Sequence, residues 1–366
     1  MYRRIASISL LVITAVTGVG LIFSAWAGCI DPRTWPLAAV VAMTAPIFAF
    51  VMLALLLVDL VWSKLAALVA VLCMVAGYPA YVDNFPFHPG PHKLTEAEKP
   101  RSWTLLTYNV HNYAPVDKVY PDSLNPMFSY IINSNADVVA IEEAEYHCAW
   151  DHHCITQGQI DSVAALYPHI MRDAEGITLL SKFPVRVHHD TVTENADSTV
   201  SCATYSLDIH GERVSLFVVH LQSIGLTADD KQMFREMTSI RGKERPSVGE
   251  VRSQLVGKLS AAAAKRADQA DALVHDIKVY GGTNAVLCGD FNDVPGCWAL
   301  RRLQECGMRE VYPEVGMGYM STYNRNRFWF RIDHVLYRGN LRPVSMERGK
   351  TASSDHYPLL TTFVFD

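Results

Sequence analysis

Three long stretches without charged side chains occupy the first 82 residues, and they constrain the fold more than any other feature. They cover residues 5–27, 34–58 and 65–82. A helix needs about 20 apolar residues to cross the hydrocarbon core of a bilayer, within a usual range of roughly 17–25. The breaks carry charged or turn residues: Asp31, Pro32, Arg33, Asp59, Lys64 and Asp83. The sequence therefore predicts three transmembrane helices within residues 1–83, rather than a buried hairpin of a soluble core.

Two features place the rest of the chain outside the cytoplasm. Arg3 and Arg4 precede the first stretch and favour a cytoplasmic N-terminus, so three crossings lead outside; Lys93 and Lys99 weaken this charge bias. Alternatively, Ala25-Trp26-Ala27 resembles a signal-peptide cleavage site, and cleavage would leave two crossings. Both topologies predict a multi-pass protein of the cell membrane with an extracytoplasmic C-terminal domain.

The remaining chain divides into a linker and one large domain. Residues 84–101 carry several prolines without apolar periodicity and predict the linker. From residue 101 onward there are 26 Lys and Arg against 32 Asp and Glu. A protein that binds polynucleotides regardless of sequence usually has a basic surplus that displaces phosphate counterions. Overall charge therefore does not favour this class, although a local basic groove stays open.

Residues 102–366 alternate apolar, strand-like runs with helical stretches, which is typical of a mixed α/β fold. We expect residues 177–180 and 185–189 to pair as strands, and residues 199–209 and 213–220 to form a hairpin across His210-Gly211. Polar residues sit where strands end: Asn109, Glu143, His220, Asp290, Asn292, Asp333, Asp355 and His356. A sheet that brings carboxylates, amides and imidazoles to one edge indicates a functional site there.

These residues lie in six short motifs, which occur in the order Tyr108-Asn109-Val110, residues 137–143 ending in Glu142-Glu143, Val219-His220-Leu221-Gln222-Ser223, Gly289-Asp290-Phe291-Asn292, Arg331-Ile332-Asp333-His334 and Ser354-Asp355-His356-Tyr357-Pro358. Together they resemble the endonuclease/exonuclease/phosphatase superfamily, which includes deoxyribonucleases, apurinic endonucleases and neutral sphingomyelinases. The resemblance implies a four-layered α/β sandwich behind the three transmembrane helices. It also implies hydrolysis of a phosphoester, more often a diester, with a divalent metal.

The resemblance implies a metal site centred on Glu143, which matches the metal-ligating Glu of the superfamily. Asn109 matches the residue that supports the metal and the phosphate, and Asp355 would assist the metal directly or through water. Magnesium prefers carboxylate and water oxygens, so Mg²⁺ is the expected ion and Mn²⁺ the alternative.

The resemblance also implies the catalytic residues. Asp290 matches the group that orients or deprotonates the attacking water, and Asn292 would hold this water or a phosphate oxygen. His356 would contact the scissile phosphate, with its ring oriented by Asp333. His220 matches a histidine that contacts the phosphate and assists the leaving group.

Three positions leave alternatives open. Glu142 stands where superfamily members often have Gln, and it would bind metal or face solvent. His111 stands where apurinic endonucleases have an Asp, which argues against that branch. It would contact phosphate or a second metal, or the site would hold one metal without His111. Asp333 would otherwise be a salt-bridge partner of Arg331.

The loop after Glu143 carries Cys148, Trp150 and Cys154 and is expected to overhang the site. A disulfide between the two cysteines is favoured over a zinc site. Trp150 and Tyr323, together with His111, are the candidate substrate contacts. The spacing of Cys297 and Cys306 also permits a local disulfide.

The sequence leaves the substrate open between nucleic acid and a lipid or small-molecule headgroup. Membrane tethering and the acidic domain favour the headgroup, and a non-catalytic binding protein is the remaining class. The lipid bilayer and a phosphoester are the expected partners, and no protein partner is implied.

Overall fold

Two sheets packed face to face form the centre of the C-terminal part. The computed structural model describes residues 2–89, 93–114, 124–144, 155–173, 176–190, 201–227, 230, 255–325, 329–351 and 353–366. The strands are β1 Ser102–Asn109, β2 Val138–Glu142, β3 His169–Arg172, β4 Thr178–Ser181, β5 Val185–Asp190, β6 Ser201–Ile209, β7 Glu212–His220, β8 Asn284–Asp290, β9 Arg309–Glu310, β10 Asp333–Arg338, β11 Leu341–Arg348 and β12 Leu359–Phe365. Within the described residues, one sheet has the order β11-β12-β1-β2-β4-β3 and the other β5-β6-β7-β8-β10-β9.

Helices flank the sheets and precede them. They are α1 Tyr2–Trp26, α2 Ala38–Ala42, α3 Ala45–Trp62, α4 Lys64–Ala76, α5 Tyr78–Asn84, α6 Pro126–Ser134, α7 Gln157–Leu166, α8 Gly257–Tyr280, α9 Trp298–Glu305 and α10 Tyr312–Val315. Helices α6 and α7 begin at side-chain caps: Asn125 accepts hydrogen bonds from Met127 N and Phe128 N, and Thr156 forms a capping box with Gln159.

The central strands are apolar on both faces because both faces are buried. Leu105, Val138 and Val218 point into the core between the two sheets. Their chain neighbours Leu106 and Val139 instead pack under α6 and α7. On the opposite side of the molecule, α8 and α9 cover the outer face of the second sheet. Alternation of side chains along a strand produces this division, and the result is the predicted four-layered sandwich.

The structure corrects one predicted strand pairing. Residues 177–180 and 185–189 were expected to pair, but β4 joins the first sheet and β5 joins the second. Only a short turn at residues 182–184 separates them, so the chain crosses from one sheet to the other there. The predicted hairpin across His210-Gly211 is present as β6 and β7, with Ile209 opposite Glu212.

The N-terminal helices form an up-down-up bundle. Residues Arg4–Cys29 and Ala38–Trp62 are long and apolar enough to cross a membrane, and α4 with α5, bent by 62° relative to each other, would make a third span. Asp59 was expected in a break but lies inside α3, where its buried carboxylate accepts a hydrogen bond of 2.7 Å from Thr14 Oγ1. A polar group at membrane depth is normally paired inside the bundle in this way.

One end of the bundle is seated on the sandwich. Arg33 pairs with Asp268 and Asp271 of α8 at 2.9 and 3.0 Å. Gly28 touches the backbone at Gly296 so closely that a Cβ at residue 28 would overlap the Gly296 carbonyl. The helices therefore meet the sandwich through packed and ionic contacts.

The end of α5 meets a buried ionic cluster made of Arg331, Glu310 and His334. Arg331 pairs with Glu310 and donates a 2.6 Å hydrogen bond to the carbonyl of Asp83. His334 Nδ1 lies 2.7 Å from Glu310 Oε1. The Asp83 carboxylate pairs with Arg301 at 2.6 Å. Arg331 is thus engaged by Glu310, which rules out its pairing with Asp333.

We expect Glu310→Ala to destabilise the protein by about 3–5 kcal/mol, because it leaves the charge of Arg331 buried and uncompensated. Burial by itself raises the pKa of Glu310, but Arg331 and His334 outweigh it and lower the pKa from 4.5 to about 2. The stabilisation is therefore present above pH 4.5 and lost as the pH falls towards 2. Chemical unfolding of the detergent-solubilised chain measures both effects. Glu305→Ala is the control, since that side chain is 67% exposed and pairs with Arg302 at the surface. Equal losses for the two variants would contradict the assignment.

Candidate active site

Strand register brings the predicted site residues to one edge of the sandwich. In the first sheet β1 and β2 run parallel, with Asn109 opposite Glu142. In the second sheet β7 and β8 run parallel, with His220 opposite Asp290. Strand β10 runs antiparallel to β8 and starts with Asp333 opposite Asp290. Because the carboxyl ends of parallel strands share an edge, residues far apart in sequence meet here.

Glu143 lies just past β2 in a strained backbone conformation, with φ of 51°. This left-handed conformation is costly for a non-glycine residue and is concentrated at functional sites. Its Oε1 accepts a 2.9 Å hydrogen bond from Asn109 Nδ2 and lies 3.6 Å from His220 Nε2. Burial raises its pKa, but His111, His220 and Asn109 outweigh burial and lower the pKa to about 2. Glu143 is therefore an anion in the folded protein.

Asn109 holds two carboxylates in place. Its Nδ2 donates to Glu143 Oε1 and, at 3.0 Å, to Asp290 Oδ2. Its Oδ1 accepts the backbone N–H of His111 at 3.1 Å. In this arrangement the amide nitrogen faces the carboxylates, so Asn109 orients them.

Asp290 is buried at the end of β8. Its Oδ1 accepts the backbone N–H of Asn292 at 2.8 Å, and Asn292 in turn has a φ of 51°. Asn292 Nδ2 donates to the carbonyl of Leu221 at 3.0 Å. Burial raises the pKa of Asp290 to about 6, against the lowering effect of His356. A carboxylate whose pKa lies near neutrality is suited to accept a proton.

His356 and Asp333 form a buried pair. His356 Nδ1 lies 2.9 Å from Asp333 Oδ2, and Nε2 lies 3.5 Å from Asp290 Oδ2. Burial lowers the pKa of His356, but the charges of Asp333 and Asp290 outweigh it and hold the pKa well above its usual value. Tyr323 packs edge-on against the ring, with centroids 5.2 Å apart. The two charges therefore favour the protonated form of the imidazole, which Asp333 holds in place at the site.

Three further predicted residues line the rim. His220 Nε2 lies 3.8 Å from Asp290 Oδ2. His111 is half-exposed, and its Nδ1 lies 3.5 Å from Glu143 Oε2 and 3.9 Å from Asp355 Oδ1. The hydrogen bond with Glu143 raises the pKa of His111. Asp355 is therefore at the site, with His111 between it and Glu143.

The donor set fits a divalent cation. Ligand atoms of Glu143, His220 and Asp290 lie within 4.8 Å of one another, as do those of Asp290, Asp333 and His356. The first group adds a strongly acidic carboxylate to a second carboxylate and an imidazole. A cation between Glu143 and Asp290 would offset their mutual repulsion and receive oxygen ligands of the type that Mg²⁺ prefers.

Glu142 takes neither of its two expected positions, since its side chain is buried and belongs to neither group of possible metal ligands among the described residues. It follows Val138 and Ala140 on the inner face of β2, so its side chain enters the core between the sheets. Oε1 accepts a 2.8 Å hydrogen bond from Thr107 Oγ1. Burial raises the pKa of Glu142 well above its ordinary value. Burial therefore disfavours the charged form of this carboxyl group. Side chains alternate between the two faces of a strand, so Glu142 shares the inner face of β2 with Val138 and Ala140. This alternation could have predicted its burial from the sequence.

The predicted disulfide between Cys148 and Cys154 and the predicted substrate contact at Trp150 concern residues that lie outside the described part of the chain. The sequence spacing permitted a disulfide between Cys297 and Cys306, but the structure does not form it, because both residues are free thiols. They stand at opposite ends of α9, and its rise of about 1.5 Å per residue separates their Cα atoms by more than the roughly 7 Å that a disulfide spans.

Two hydroxyl groups that hold parts of the site in place were not predicted from the sequence. Thr322 Oγ1 accepts the N–H groups of Ile332 and Asp333 at 2.9 and 3.1 Å, which fixes the start of β10. Ser354 Oγ donates to the carbonyl of Asn109 at 2.8 Å and accepts the N–H of His356. Ser354 stood within a motif, whereas Thr322 carried no local signal.

The pocket in front of the site also contains residues that the sequence did not indicate. It has a volume of about 320 Å³. Besides the site residues, its wall includes Met43, Leu226, Leu255, Leu259 and Phe330. These contributions come from the N-terminal helices, two loops and α8, so no local pattern connects them.

Comparison with protein families places this site in a known group of sequences. The model described as the Endonuclease/Exonuclease/phosphatase family matches residues 106–356. Residues 6–83 match a family described as a domain of unknown function. No curated protein matches the chain significantly. The first match includes every site residue from Asn109 to His356.

Solved structures with similarity to the chain include two enzymes named by activity or gene and one named by family. A humanized D. rerio TDP2 with 14 mutations has 15% identity, covers 72% of this chain and 99% of its own, and has a TM-score of 0.44. An endonuclease/exonuclease/phosphatase from Beutenbergia cavernae has 16% identity, 72% coverage of each chain and a TM-score of 0.48. An AP endonuclease from Archaeoglobus fulgidus has 15% identity, covers 72% and 99%, and has a TM-score of 0.45.

Proposed function

The chain belongs to the endonuclease/exonuclease/phosphatase family of phosphoester hydrolases, and we propose that it is a divalent-metal-dependent phosphodiesterase acting at the outer face of the cell membrane. The observation that carries the proposal is the meeting of Glu143, Asp290 and His356 at one edge of the sandwich, where Asp290 lies close to both Glu143 and His356. A fold by itself does not imply chemistry, so the argument depends on this site.

The metal would be held by Glu143, with Asn109 and Asp355 in supporting positions. When bound, the cation neutralises charge on the phosphate. Mg²⁺ suits the carboxylate oxygens, and Mn²⁺ is the alternative. The strongly lowered pKa of Glu143 favours this assignment, since the carboxylate is ionised before any metal binds.

The protein side chains would bind the attacking water, transfer protons and stabilise negative charge. Asp290 orients the attacking water and accepts its proton, and Asn292 holds the water or a phosphate oxygen. The cationic ring of His356, fixed by Asp333, stabilises negative charge that develops on the phosphoryl oxygens. His220 contacts the phosphate and assists departure of the leaving oxygen. His111, Tyr323 and Trp150 remain candidate substrate contacts.

Hydrolysis of bis(p-nitrophenyl) phosphate by the purified full chain in detergent tests this function. We expect activity with Mg²⁺ that EDTA removes and that added Mg²⁺ or Mn²⁺ restores. Asp290→Asn, purified identically, controls for co-purifying hydrolases. Activity that persists in EDTA, or that is equal in Asp290→Asn, would refute the proposed chemistry.

The extracytoplasmic position makes a separate prediction about labelling. In a Cys29→Ser background, a cysteine at exposed Glu212 should react with a membrane-impermeant maleimide in intact cells, as an increase over the background. Glu212 follows the turn between β6 and β7, at the opposite ends of these strands from the site. Lys64→Cys, at the other end of the bundle, is the control and should react only after lysis. Labelling of Lys64→Cys in intact cells, with labelling of the cysteine at residue 212 only after lysis, would show the opposite topology.

A further inference from the structure

The pocket in front of the site is lined by two chemically different sets of side chains. Glu143, Asp290 and His356 supply polar groups. The apolar wall consists of Met43, Ile224, Leu226, Leu255, Leu259 and Phe330. A phosphodiester without an apolar substituent would use only the polar set. The wall indicates a substrate that carries hydrocarbon next to its phosphate.

One residue of the apolar wall belongs to the membrane region. Met43 lies at the break between α2 and α3, inside the candidate span Ala38–Trp62. It packs against the core of the second sheet together with Phe330. Met43 is five residues after the start of this span, or about 7.5 Å along the helix axis. That depth matches the transition from headgroups to hydrocarbon, given about 5–7 Å of headgroup region on each side of the core.

The contacts between bundle and sandwich keep the pocket at this level. The ion pairs of Arg33 with Asp268 and Asp271 and the pair of Arg301 with Asp83 all lie at the same end of the bundle. The backbone contact of Gly28 with Gly296 adds a close steric fit there. With Ala38–Trp62 as a membrane span, these contacts would hold the pocket beside the membrane surface, because Met43 belongs to both the span and the pocket wall.

In the described part of its lining, the pocket carries charge that does not suit a polynucleotide. Among the described residues that line it, Arg266 is the single Lys or Arg. Its Nε donates to Asp293 at 3.0 Å and its Nη1 to the carbonyl of Gln222 at 3.0 Å, so its charge is already engaged. A nucleic acid presents a row of phosphates and is normally bound by several basic side chains. A single phosphate beside hydrocarbon needs no such row.

From these observations, and on the basis of the proposed phosphodiesterase chemistry, we infer that the substrate is a membrane-resident phosphodiester lipid. Its phosphate lies at Glu143 and His356, and its hydrocarbon passes along Met43 into the outer leaflet. Water adds to phosphorus, the P–O bond to one of the two alcohols breaks, and that alcohol leaves with a proton. The products are one alcohol and one phosphomonoester, and no oxidant or co-substrate is needed.

Reconstitution of the full chain into vesicles of phosphatidylcholine and phosphatidylglycerol tests the inference. The wild-type chain should release phosphomonoester or headgroup alcohol from the vesicle lipid in the presence of Mg²⁺. Met43→Gln should lower the ratio of lipid hydrolysis to bis(p-nitrophenyl) phosphate hydrolysis by roughly tenfold, because an apolar contact with the lipid chain is lost. Leu226→Gln is a second wall variant outside the membrane helices and should act in the same direction.

Leu37→Gln is the matched control, since it lies beside the start of α2, is exposed, and does not line the pocket. Its activity ratio should equal that of the wild-type chain. Equal ratios for Met43→Gln, Leu226→Gln and Leu37→Gln would overturn the assigned wall. Hydrolysis of bis(p-nitrophenyl) phosphate and of DNA or RNA oligonucleotides without lipid hydrolysis would overturn the lipid substrate and leave the phosphodiesterase assignment intact. Absence of any metal-dependent hydrolysis would refute both.

Discussion

Glu143→Gln should abolish metal-dependent hydrolysis while the protein remains folded. The substitution removes one negative charge and little volume, and it takes away the strongest anion of the site. Loss of a preorganised electrostatic group typically costs a factor of about 10²–10³ in kcat, and loss of the metal itself would cost more. Activity measured over a range of Mg²⁺ concentrations, together with calorimetric Mg²⁺ binding, gives both readouts.

The neighbouring carboxyl group offers a matched control for this experiment. Glu142→Gln changes the same residue type one position earlier, at a buried site where desolvation raises the pKa of the carboxyl group. Gln has nearly the same shape as a neutral Glu and can also accept the hydrogen bond from Thr107. We expect its hydrolysis and its Mg²⁺ binding to stay near those of the wild-type chain. If Glu143→Gln were as active as Glu142→Gln, the metal assignment would have to be abandoned.

His356→Ala should be nearly as severe, with a loss of about 3–4 kcal/mol in barrier stabilisation. The ring is buried, and its Nδ1 is held by Asp333 at 2.9 Å. Asp333→Asn should have a smaller effect, because the ring remains but is less firmly oriented. Residues that act as a unit show non-additive effects, so the double variant should be little worse than His356→Ala alone. Measurement of kcat and KM for the four forms completes this cycle.

A structural role for Asp333 is separable from the proposed one by the titration of His356. The Asp333 charge raises the pKa of this imidazole, so Asp333→Asn should lower the pKa, as followed by NMR of the ring. A merely structural effect would reduce activity without moving this titration. Losses that add in the double variant, with an unchanged ring pKa, would show that the two residues act independently.

The N-terminal helices also contact the part of the chain that carries the site. Arg331, within a family motif, donates to the carbonyl of Asp83 at the end of α5. Two residues further along the same motif, Asp333 holds the ring of His356. One short segment thus contacts the bundle and the site together. The position of the helices and the geometry of the site are therefore physically connected through β10 and its preceding loop.

The sequence alone was sufficient for features that depend on local pattern. The length of an apolar stretch is read directly from the chain, and the structure contains two or three helices able to span a membrane. The site motifs were also recognisable, because each places its polar residues at or near the end or the start of an apolar, strand-like run. Asn109, Glu143, His220 and Asp290 do meet, since parallel neighbours bring their carboxyl ends to one edge.

Pairing between distant segments was decided only by the tertiary structure. Strands β4 and β5 are adjacent in sequence but join different sheets, because alternation indicates that a strand is buried and not which partner it has. Arg331 lies two residues before Asp333 in sequence, yet it pairs with Glu310, which belongs to β9. Met43 lines the pocket because the helix bundle packs against the sandwich. Local patterns specify which side chains leave a strand or helix together, whereas packing of whole layers determines which of them finally touch.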